Sequence, residues 1–508
     1  MRAIVRFDRT FDRAIVVVAA LVGTLMTWRT LSGIDPFFDT FAYHLPFAAR
    51  LAGLCPETCY RMHPVLEARF EGFPKLYHFL QGFAWRWSGT PVAGHALTLA
   101  IFGSFALYLR RGFDVPVALT LIGLLAVPLI QIHASASYID LPLNLLVAVA
   151  ALAIMDLMRD SVIGWRRPFL VVGCLAVAAN SKLTMIPLAG ALWLWWLALM
   201  ALKGQAGKDP ERPCRRWSRL TGIALLSAVV VFAAAWRNLL IFGNPLYPLQ
   251  VELPLLTLAG PEVAMQPGWD SLAEGWRDVP SPVRWLASVL EVGGYQDRPL
   301  PWTYDQGSCV TAPLLEPCLL SSAPSFRMGG YFVAYVLFLL IFLAFRLRYL
   351  NPAARRAVAA TFTLVTLLAA FFPHSHELRY VMFWIIALVA MALVCTFSPA
   401  FAPGGGSGVR RVLASGMLAA FASVALLTSG HYLVPAGRSV EGLILELGID
   451  DRVNGIDDGT VACVDSEWQP FTFLFAPLFH PGRTYSVLDG PIGPCTTTIG
   501  PPTAPVGG

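Results

Sequence analysis

Acidic, aromatic and histidine side chains gather in a few short segments of an otherwise apolar chain. The first such segment contains Asp39, Tyr43 and His44. Asp39 and Tyr43 stand four residues apart, so they share a face if the segment is helical. A carboxylate there is able to take the proton of a hydroxyl group, which is general-base chemistry. From spacing alone, the simpler interpretation is that Asp39 caps the start of a helix.

A second polar segment reads His374-Ser375-His376-Glu377. Histidine and carboxylate side chains are zinc ligands, but residues two apart do not share a helical face, and the spacing fixes no third ligand. The pattern therefore does not favour a metal, and we expect no cofactor. The alternatives are that these residues bind a substrate, or that the histidines have a structural role.

Long apolar runs separate these segments and must position them. The chain has 508 residues, of which 56% are hydrophobic and 14% are charged. Soluble globular proteins carry about 25% charged residues, and a membrane-spanning helix needs about 20 mostly apolar residues. The sequence therefore predicts an all-α polytopic membrane protein with about 11 transmembrane helices. The predicted spans are roughly 14–31, 92–109, 115–133, 141–158, 168–180, 186–202, 220–241, 330–346, 357–373, 379–397 and 411–429.

Arginine and lysine concentrate in alternate gaps between the predicted spans. The basic gaps hold Arg110-Arg111, Arg159 to Arg167, Lys203 to Arg219, Arg346 to Arg356 and Arg410-Arg411. Most acids and histidines lie in the other gaps, and cytoplasmic loops are the ones enriched in Lys and Arg. We therefore predict a multi-pass membrane protein with a cytoplasmic N-terminus, and with its C-terminus and its polar chemistry on the opposite side, which is the periplasmic side if the membrane is a bacterial inner membrane.

The net charge of +5 comes from these residues at helix ends, where Lys and Arg contact anionic lipid headgroups. We expect membrane lipids, and no nucleic acid, as partners. The basic N-terminus precedes an apolar run without a convincing cleavage site, so we predict that this run stays in place as the first span.

Six cysteines form three local pairs in the gaps predicted to be periplasmic. The pairs are Cys55 with Cys59, Cys309 with Cys318, and Cys463 with Cys495. Disulfides persist in oxidising compartments, so three pairs on one side support the predicted orientation. Chance proximity is the alternative, and Cys55–Cys59 is the weakest of the three.

The chain divides into a transmembrane domain over 1–430 and a small C-terminal periplasmic domain over 431–508 that ends in a flexible tail, Thr496–Gly508. Two large periplasmic loops, 32–90 and 243–328, belong to the first domain. Mixed polarity and turn residues after 430 are compatible with strands. No internal repeat is visible, so the sequence gives no support to a transporter built from inverted repeats.

Six short motifs occur in a fixed order along the chain. They are Asp39 with Tyr43-His44-Leu45-Pro46, Phe73-Pro74-Lys75, Tyr138-Ile139-Asp140-Leu141-Pro142, Asn180-Ser181-Lys182-Leu183-Thr184, Trp236-Arg237-Asn238 leading to Gly243-Asn244-Pro245-Leu246-Tyr247-Pro248, and His376-Glu377-Leu378-Arg379-Tyr380. This ordered set resembles the bacterial GT-C glycosyltransferases, whose relatives by class include the protein O-mannosyltransferases and the lipid A aminoarabinose transferases. The resemblance covers roughly residues 10–400.

The resemblance implies a GT-C fold and the transfer of a monosaccharide, with inversion, from a polyprenyl-phosphate donor. It implies that Asp39 is the base that deprotonates the acceptor, which is an envelope glycan, lipid or protein. Asp35 competes for this role, but it precedes Pro36 and lies nearer the end of the first span. The implied substrate-binding residues are Asp140, Tyr43, His44, His374, His376 and Glu377. For Asp140 the alternative is a cap of the fourth span.

In such a reaction the departing lipid phosphate gains negative charge, so nearby cations stabilise the transition state. Four cations lie at the predicted periplasmic ends of spans: Arg379, Lys182, Arg237 and Lys75. Each has an alternative as an anchor that extends its charge to the interface, although the orientation rule makes cations on this side exceptional. We rank Arg379 and Lys182 first as phosphate ligands, followed by Arg237 and Lys75.

Three other functions stay open at this point. A ligase or polymerase of the O-antigen type, using a diphosphate-linked glycan, would place essential Arg and His in a large late loop such as 243–328. A lipid-linked glycan flippase or transporter would place charges near mid-membrane, where the predicted spans hold almost none. A non-catalytic envelope assembly subunit would tolerate mutation of its polar residues. The sequence contains no glycine-rich nucleotide-binding motif, as expected for a lipid-linked donor.

Overall fold

A computed structural model gives the protein as a mostly helical chain. The structure describes residues 9–35, 37–160, 166–205, 213–253, 256–263, 278–290, 294–295, 298–299, 330–401, 406–428, 430, 432–434, 438–464, 470–490 and 495–499. Long helices form a bundle, and short helices and strands gather at one end of it.

The helices follow the apolar pattern of the sequence, and each predicted span coincides with a helix or a pair of helices. In chain order the α-helices are α1 (Arg9–Ser32), α2 (Leu45–Leu51), α3 (Pro64–Gly72), α4 (Leu76–Ser88), α5 (Ala93–Phe113), α6 (Val117–Leu125), α7 (Pro128–Ala134), α8 (Asp140–Arg159), α9 (Arg166–Ala179), α10 (Met185–Gln205), α11 (Pro213–Val231), α12 (Ala233–Phe242), α13 (Ser281–Val289), α14 (Val333–Leu347), α15 (Pro352–Ala370), α16 (Phe383–Phe397), α17 (Ser407–Leu427), α18 (Val440–Glu446) and α19 (Ile449–Val453).

Among the described residues, five helices are long and apolar enough to cross a membrane: α1, α8, α10, α15 and α17. Two bent pairs, α6 with α7 and α11 with α12, raise the number to seven if each pair is one span. Helices α14 and α16 are apolar but only 15 residues long each. The protein is therefore polytopic, and the number of about 11 spans stays a prediction.

Helix α6 meets α7 at an angle of 103°. Pro128 opens α7, and a residue before proline is driven out of the helical region. Val127 accordingly has φ −103° and ψ 112°. The Gln131 amide donates a hydrogen bond to the carbonyl oxygen of Leu125, one of the groups that the break leaves without a helical partner. The bend turns the chain into the short segment that precedes α8.

Helices α11 and α12 meet at an angle of 74°, and Asn180, just after α9, fills the gap. Its amide nitrogen donates to the carbonyl oxygens of Val230 and Val231, both at 3.1 Å. Its amide oxygen accepts the N–H of Ala234 at 2.7 Å. The backbone carbonyl of Asn180 also accepts the N–H of Leu76 at 2.9 Å. One asparagine therefore caps two helices and attaches the start of α4 to the same point.

Helices α8 and α16 are the centre of the bundle, and their side chains are buried along almost the whole length. Both deliver polar residues to the same end. Asp140 is the first residue of α8, and a 3-10 turn, Leu378–Val381, comes just before α16. The packed core therefore fixes the position of the polar residues at its rim.

The loop between α1 and α5 folds into a compact layer that starts with a π-helical turn, Thr40–His44. Helices α2 and α4 cross at close range in this layer. A Cβ atom at Gly82 would lie 2.1 Å from the carbonyl oxygen of Ala48, so only glycine permits this approach. The contact fixes α4 against the segment that carries His44.

Strands are confined to the loops and the C-terminal segment. In chain order they are β1 (Tyr60–Arg61), β2 (Leu249–Leu253), β3 (Leu256–Leu258), β4 (Glu262–Val263), β5 (Gly294–Tyr295), β6 (Arg298–Pro299), β7 (Val461–Val464), β8 (Ser486–Asp489) and β9 (Thr497–Ile499). Strand β2 pairs with β3 and β4, and β5 pairs with β6, inside the second large loop. Two further 3-10 turns, Pro470–Phe475 and Pro477–Phe479, lie between β7 and β8.

A four-stranded parallel sheet in the order β1-β8-β7-β9 joins the first loop to the C-terminal segment. The two segments also share a hydrophobic core. The ring of Phe41 lies 5.3 Å from Phe471, and Tyr60 lies 5.0 Å from Phe473, between ring centroids. Because a shared core requires both segments on one side of a membrane, the loop and the C-terminal segment lie at the same end of the bundle.

The sheet adds to one expectation and corrects another. The all-α class describes the bundle, and the strands judged compatible with the sequence after residue 430 are present, but their pairing with β1 of the first loop was not predicted. The tail predicted to begin near Thr496 contains strand β9, which pairs with β7 from Ala462↔Thr497 to Val464↔Ile499. Alternating short strands are a weak pattern in sequence, and here the partner strands come from distant parts of the chain.

Two of the three predicted disulfides are confirmed. Cys55 is bonded to Cys59, and Cys463 to Cys495, with Cα–Cα distances of 5.2 and 5.6 Å. The first closes a turn in the first loop, and the second ties β7 to the chain before β9. Cys309 and Cys318 lie outside the described residues.

Candidate functional site

Residues from distant parts of the sequence meet around one arginine at the rim of the bundle. Arg379 is only 7% exposed. Its Nη1 donates to Asp39 Oδ2 at 3.0 Å, and its Nε donates to Glu377 Oε2 at 3.0 Å. Its Nη2 donates to the hydroxyl of Tyr380 at 3.0 Å. One guanidinium group therefore joins two carboxylates and a phenol.

The two carboxylates differ in accessibility. The side chain of Asp39 is 18% exposed, and that of Glu377 is 6% exposed. Burial opposes ionisation of Glu377, but Arg379 and the rings of His376 and His374 outweigh it, so the pKa of the Glu377 carboxyl is below its usual value. Glu377 is therefore a buried counter-ion of Arg379, and Asp39 is the more accessible of the two carboxylates.

Lys182 and Asp140 form a second ion pair beside the first. Lys182 Nζ lies 2.5 Å from Asp140 Oδ1, and the Asp140 side chain is fully buried. Lys182 Nζ and the guanidinium carbon of Arg379 each lie 4.8 Å from the centroid of the Tyr380 ring. Tyr380 therefore connects the two ion pairs.

Asn144, one turn after Asp140, holds both pairs in place. Its amide nitrogen donates to the carbonyl oxygens of Asp140 at 2.8 Å and Arg379 at 3.2 Å. Its amide oxygen accepts the N–H of Phe383 at 2.8 Å. The Arg379 carbonyl and the Phe383 N–H lie at the break between the 3-10 turn and α16, and the Asn144 amide fills this break. Asn144 belongs to none of the sequence motifs and was missed, although an asparagine near the start of a predicted span is itself a signal.

Tyr138 contacts both Asp39 and Arg379 and so helps to position Asp39. Its hydroxyl oxygen accepts the backbone N–H of Asp39 at 3.3 Å. The guanidinium carbon of Arg379 lies 5.6 Å from the Tyr138 ring centroid, which is cation–π distance. The backbone and the side chain of Asp39 are therefore both fixed by groups that contact each other.

Asp35, the competing candidate, has a different environment. Its carboxylate accepts hydrogen bonds from the hydroxyl of Thr40 and, at 2.7 Å, from the N–H of Ser137. His95 Nε2 lies 3.2 Å from the same carboxylate. Asp35 is buried and is used to connect the π-helical turn to the segment before α8. The structure therefore places Asp39, and not Asp35, against Arg379.

Lys75 and Arg237 form a separate cationic pair. Lys75 Nζ and Arg237 Nη1 both donate to the carbonyl oxygen of Glu71, at 3.5 and 2.8 Å. Lys75 also donates to the carbonyl of Phe70. These carbonyls end α3, where positive charge is favourable. Within the part of the chain that the structure describes, neither cation has a carboxylate within 4.0 Å.

The charge of Lys75 is poorly compensated as a result. Burial and the neighbouring Arg237 lower the pKa of Lys75 to about 8, and Glu71 opposes them only in part. Arg237 also donates to the neutral side-chain oxygen of Asn238 at 3.0 Å. Two adjacent cations with neutral hydrogen-bond partners repel each other, and an anion bound between them would relieve that repulsion.

Three buried histidines lie near the ion pairs. His44 Nδ1 is 2.9 Å from His78 Nε2, and the two rings are stacked. Burial, together with neighbouring cations, lowers the pKa of His78 to about 3 and holds the pKa of His44 well below its usual value. Both rings are therefore neutral. The ring of His133 lies 5.3 Å from that of Tyr138. His78 and His133 belong to no motif in the sequence and were missed.

The remaining predicted residues border this group. The ring of Tyr43 lies 4.2 Å from that of His44. His374 is half-buried with its ring 6.2 Å from Tyr380, and His376 is buried beside Glu377. Among the described residues, no three or more His, Cys, Asp and Glu side chains are grouped to hold a metal ion.

Comparison with known proteins gives a structural match only. No protein-family model and no curated protein matches the sequence. The chain superposes on ArnT from Cupriavidus metallidurans bound to undecaprenyl phosphate with a TM-score of 0.50 and 13% identity, over 94% of this chain and 90% of that one. The chain has an ArnT-like fold. The apo state of ArnT gives a TM-score of 0.41 and 14% identity, over 94% and 89% of the two chains.

The ArnT-like fold agrees with the polytopic helical architecture that the ordered motifs imply, and at this identity the likeness concerns the fold alone. The superposition extends beyond the region that carries the motifs, because it covers 94% of the chain.

Proposed function

We propose that this protein is an inverting glycosyltransferase. It moves a monosaccharide from a polyprenyl-phosphate donor to an envelope glycan, lipid or protein at the periplasmic face of a bacterial inner membrane. The observation that carries the proposal is the ion pair of Asp39 with Arg379, beside the pair of Lys182 with Asp140, at the rim of an ArnT-like bundle. ArnT was crystallised with undecaprenyl phosphate, which supports a lipid phosphate as the carrier.

Asp39 acts as the general base. The acceptor oxygen attacks the anomeric carbon from the side opposite the phosphate, and the configuration of the sugar inverts. The bond between the anomeric carbon and the phosphate oxygen breaks, and its electron pair stays on the phosphate. The hydroxyl proton of the acceptor passes to the Asp39 carboxylate. Arg379 is a positioning residue. Its Nη1 orients the Asp39 carboxylate, while its Nε is held by Glu377.

The ion pairs also support an assignment of the phosphate ligands. Arg379 and Lys182 already have carboxylates at 3.0 and 2.5 Å. Lys75 and Arg237 share a carbonyl oxygen instead, and uncompensated cations bind a phosphate better than neutralised ones. We assign the donor phosphate to Lys75 and Arg237, which reverses the order of preference drawn from the sequence.

A transfer assay with the full-length protein in lipid nanodiscs tests the function. Undecaprenyl phosphates that carry radiolabelled monosaccharides are offered together with the envelope fraction of the host bacterium. We expect the label to move to an acceptor with inverted anomeric configuration. Asp39→Asn should lower kcat by about 100-fold or more, the usual contribution of a general base.

Asp451→Asn is the matched control, because Asp451 is an exposed carboxylate in the C-terminal segment, and we expect it to leave kcat unchanged. Normal transfer by the Asp39→Asn protein would remove the base assignment. Failure of every polyprenyl-phosphate donor would remove the proposed function itself.

A further inference from the structure

Six buried side-chain atoms near Asp39 have no hydrogen-bond partner among the described residues. They are His44 Nε2, His78 Nδ1, both ring nitrogens of His133, Gln81 Oε1 and Asp140 Oδ2. These five side chains, here called the polar cluster, are at most 4% exposed. A buried polar atom without a partner is costly, so six in one region mark a place where a polar ligand, or water in its absence, completes their hydrogen bonds.

The polar cluster is assembled by the tertiary fold around Tyr138. The ring of His44 lies 5.2 Å from that of Tyr138, and the ring of His133 lies 5.3 Å from it. His78 joins through His44 at 2.9 Å. The amide nitrogen of Gln81 donates a hydrogen bond to the carbonyl oxygen of Ser137 at 2.8 Å. Its amide oxygen is therefore left for a ligand.

The polar cluster lies between the two parts of the proposed machinery. On one side, Tyr138 accepts the backbone N–H of Asp39 at 3.3 Å. On the other side, His78 stands three residues after Lys75, one turn along α4. A donor with its phosphate on Lys75 and its reacting carbon toward Asp39 would bring its sugar to the residues that connect these two positions, which are those of the polar cluster.

We propose that the polar cluster binds the sugar of the donor, and that this sugar is an uncharged, hydroxylated monosaccharide. The inference rests on the proposed function. A neutral imidazole presents one donor and one acceptor nitrogen, and a free amide or carboxylate oxygen is an acceptor. A hydroxyl group both donates and accepts, so sugar hydroxyls pair with every unpartnered atom of the polar cluster, whichever tautomer each ring adopts.

The charges around the polar cluster disfavour an ionised sugar. The carboxylate of the polar cluster, Asp140, is already paired with Lys182 at 2.5 Å, so the ammonium group of an amino sugar would find no uncompensated charge there and would lie beside Lys182. A sugar carboxylate would meet the fully buried Asp140. Only an uncharged sugar avoids both costs.

Binding measurements with the full-length protein in nanodiscs test the inference. The probes are undecaprenyl phosphate alone, a panel of undecaprenyl-phosphate hexoses, and the matching 2-amino sugars. We expect His133→Leu and Gln81→Leu each to lower the affinity for the hexosyl lipid by about 10-fold, equivalent to about 1.4 kcal/mol at 25 °C. Neither variant should change the affinity for undecaprenyl phosphate alone, which also serves as the folding control.

His133→Gln keeps hydrogen-bonding groups, so it should restore most of the lost affinity. The wild-type protein should bind the hexosyl lipid about 10-fold more tightly than its amino counterpart. A preference for the amino sugar would overturn the substrate class. If the wild-type protein binds all lipids and the substitutions change both kinds of lipid equally or neither, the sugar pocket is wrong while the proposed function stands. If no lipid binds, the proposed function fails.

Discussion

Asp39 and Asp35 show how two nearby carboxylates acquire different roles. The buried carboxylate of Asp35 is stabilised by the Thr40 hydroxyl, the N–H of Ser137 and the ring of His95. Asp39 has a single guanidinium partner and remains partly exposed. The order of the motifs predicted the right candidate to test, but only the fold gives the physical reason, because the donors on Asp35 come from residues up to 102 positions away.

Lys75 gives the proposed phosphate site a pH dependence. Its pKa of about 8 means that the ammonium charge is present below this pH and is lost above it. A lipid phosphate completes its own ionisation near pH 6, so only the protein changes across this range. We expect the affinity for undecaprenyl phosphate to fall as the pH rises through about 8, measured as a dissociation constant in nanodiscs.

Lys75→Arg is the control for this prediction, since arginine keeps its charge at every pH of interest. Its affinity should stay level from about pH 7 to about pH 9. An equal fall in the arginine variant would show that Lys75 is not the group that titrates.

Interrupted helices build the site at the scale of elements, and they are the least predictable part of the fold. The break before α7 has a cause in the sequence, since Pro128 opens the helix. The break filled by Asn180 has no proline, and the break filled by Asn144 has none either. In both cases the side-chain amide of an asparagine in one helical segment pairs with the backbone groups that are left free at a break in another helix. A local sequence pattern does not reveal such a contact.

Gly82 offers a direct test of how α4 is held. A methyl group there would lie 2.1 Å from the carbonyl oxygen of Ala48, so Gly82→Ala must push α4 away from α2. Because α4 carries Lys75 at its start and His78 on its inner face, we expect both the thermal stability and the donor affinity to fall. Overpacking of this kind costs about 1–3 kcal/mol.

Gly173→Ala in α9 is the matched control, since nothing lies within 4 Å of its added Cβ. It should leave the melting temperature and the donor affinity unchanged. If Gly82→Ala behaves like this control, the close crossing of α2 and α4 is not as described.

At the scale of the whole molecule, the bundle was predictable and the sheet was not. Apolar runs of 15 to 24 residues identify their own helices. Strand β1 has only two residues, and it pairs with Val487 and Leu488, more than four hundred positions further along the chain. The C-terminal segment therefore completes the core of the first loop, which carries Asp39.

Phe471→Ala tests this dependence. Phe471 is 4% exposed and packs on Phe41, two residues after Asp39. Removing a buried phenyl ring costs about 3–5 kcal/mol, so we expect a lower melting temperature and weaker transfer activity in the same variant. Leu445→Ala removes a side chain that is 73% exposed and should change neither. If Phe471→Ala lowers the melting temperature but keeps full transfer activity, the site does not depend on the C-terminal segment.

The most direct test of the central claim is a cryo-EM structure of the full-length protein in nanodiscs with undecaprenyl phosphate. We expect phosphate density within about 3 Å of Lys75 Nζ and of the Arg237 guanidinium, with the reactive end of the lipid facing Asp39. Phosphate density at the basic gaps on the opposite end of the bundle, or no lipid density near these residues, would contradict the account.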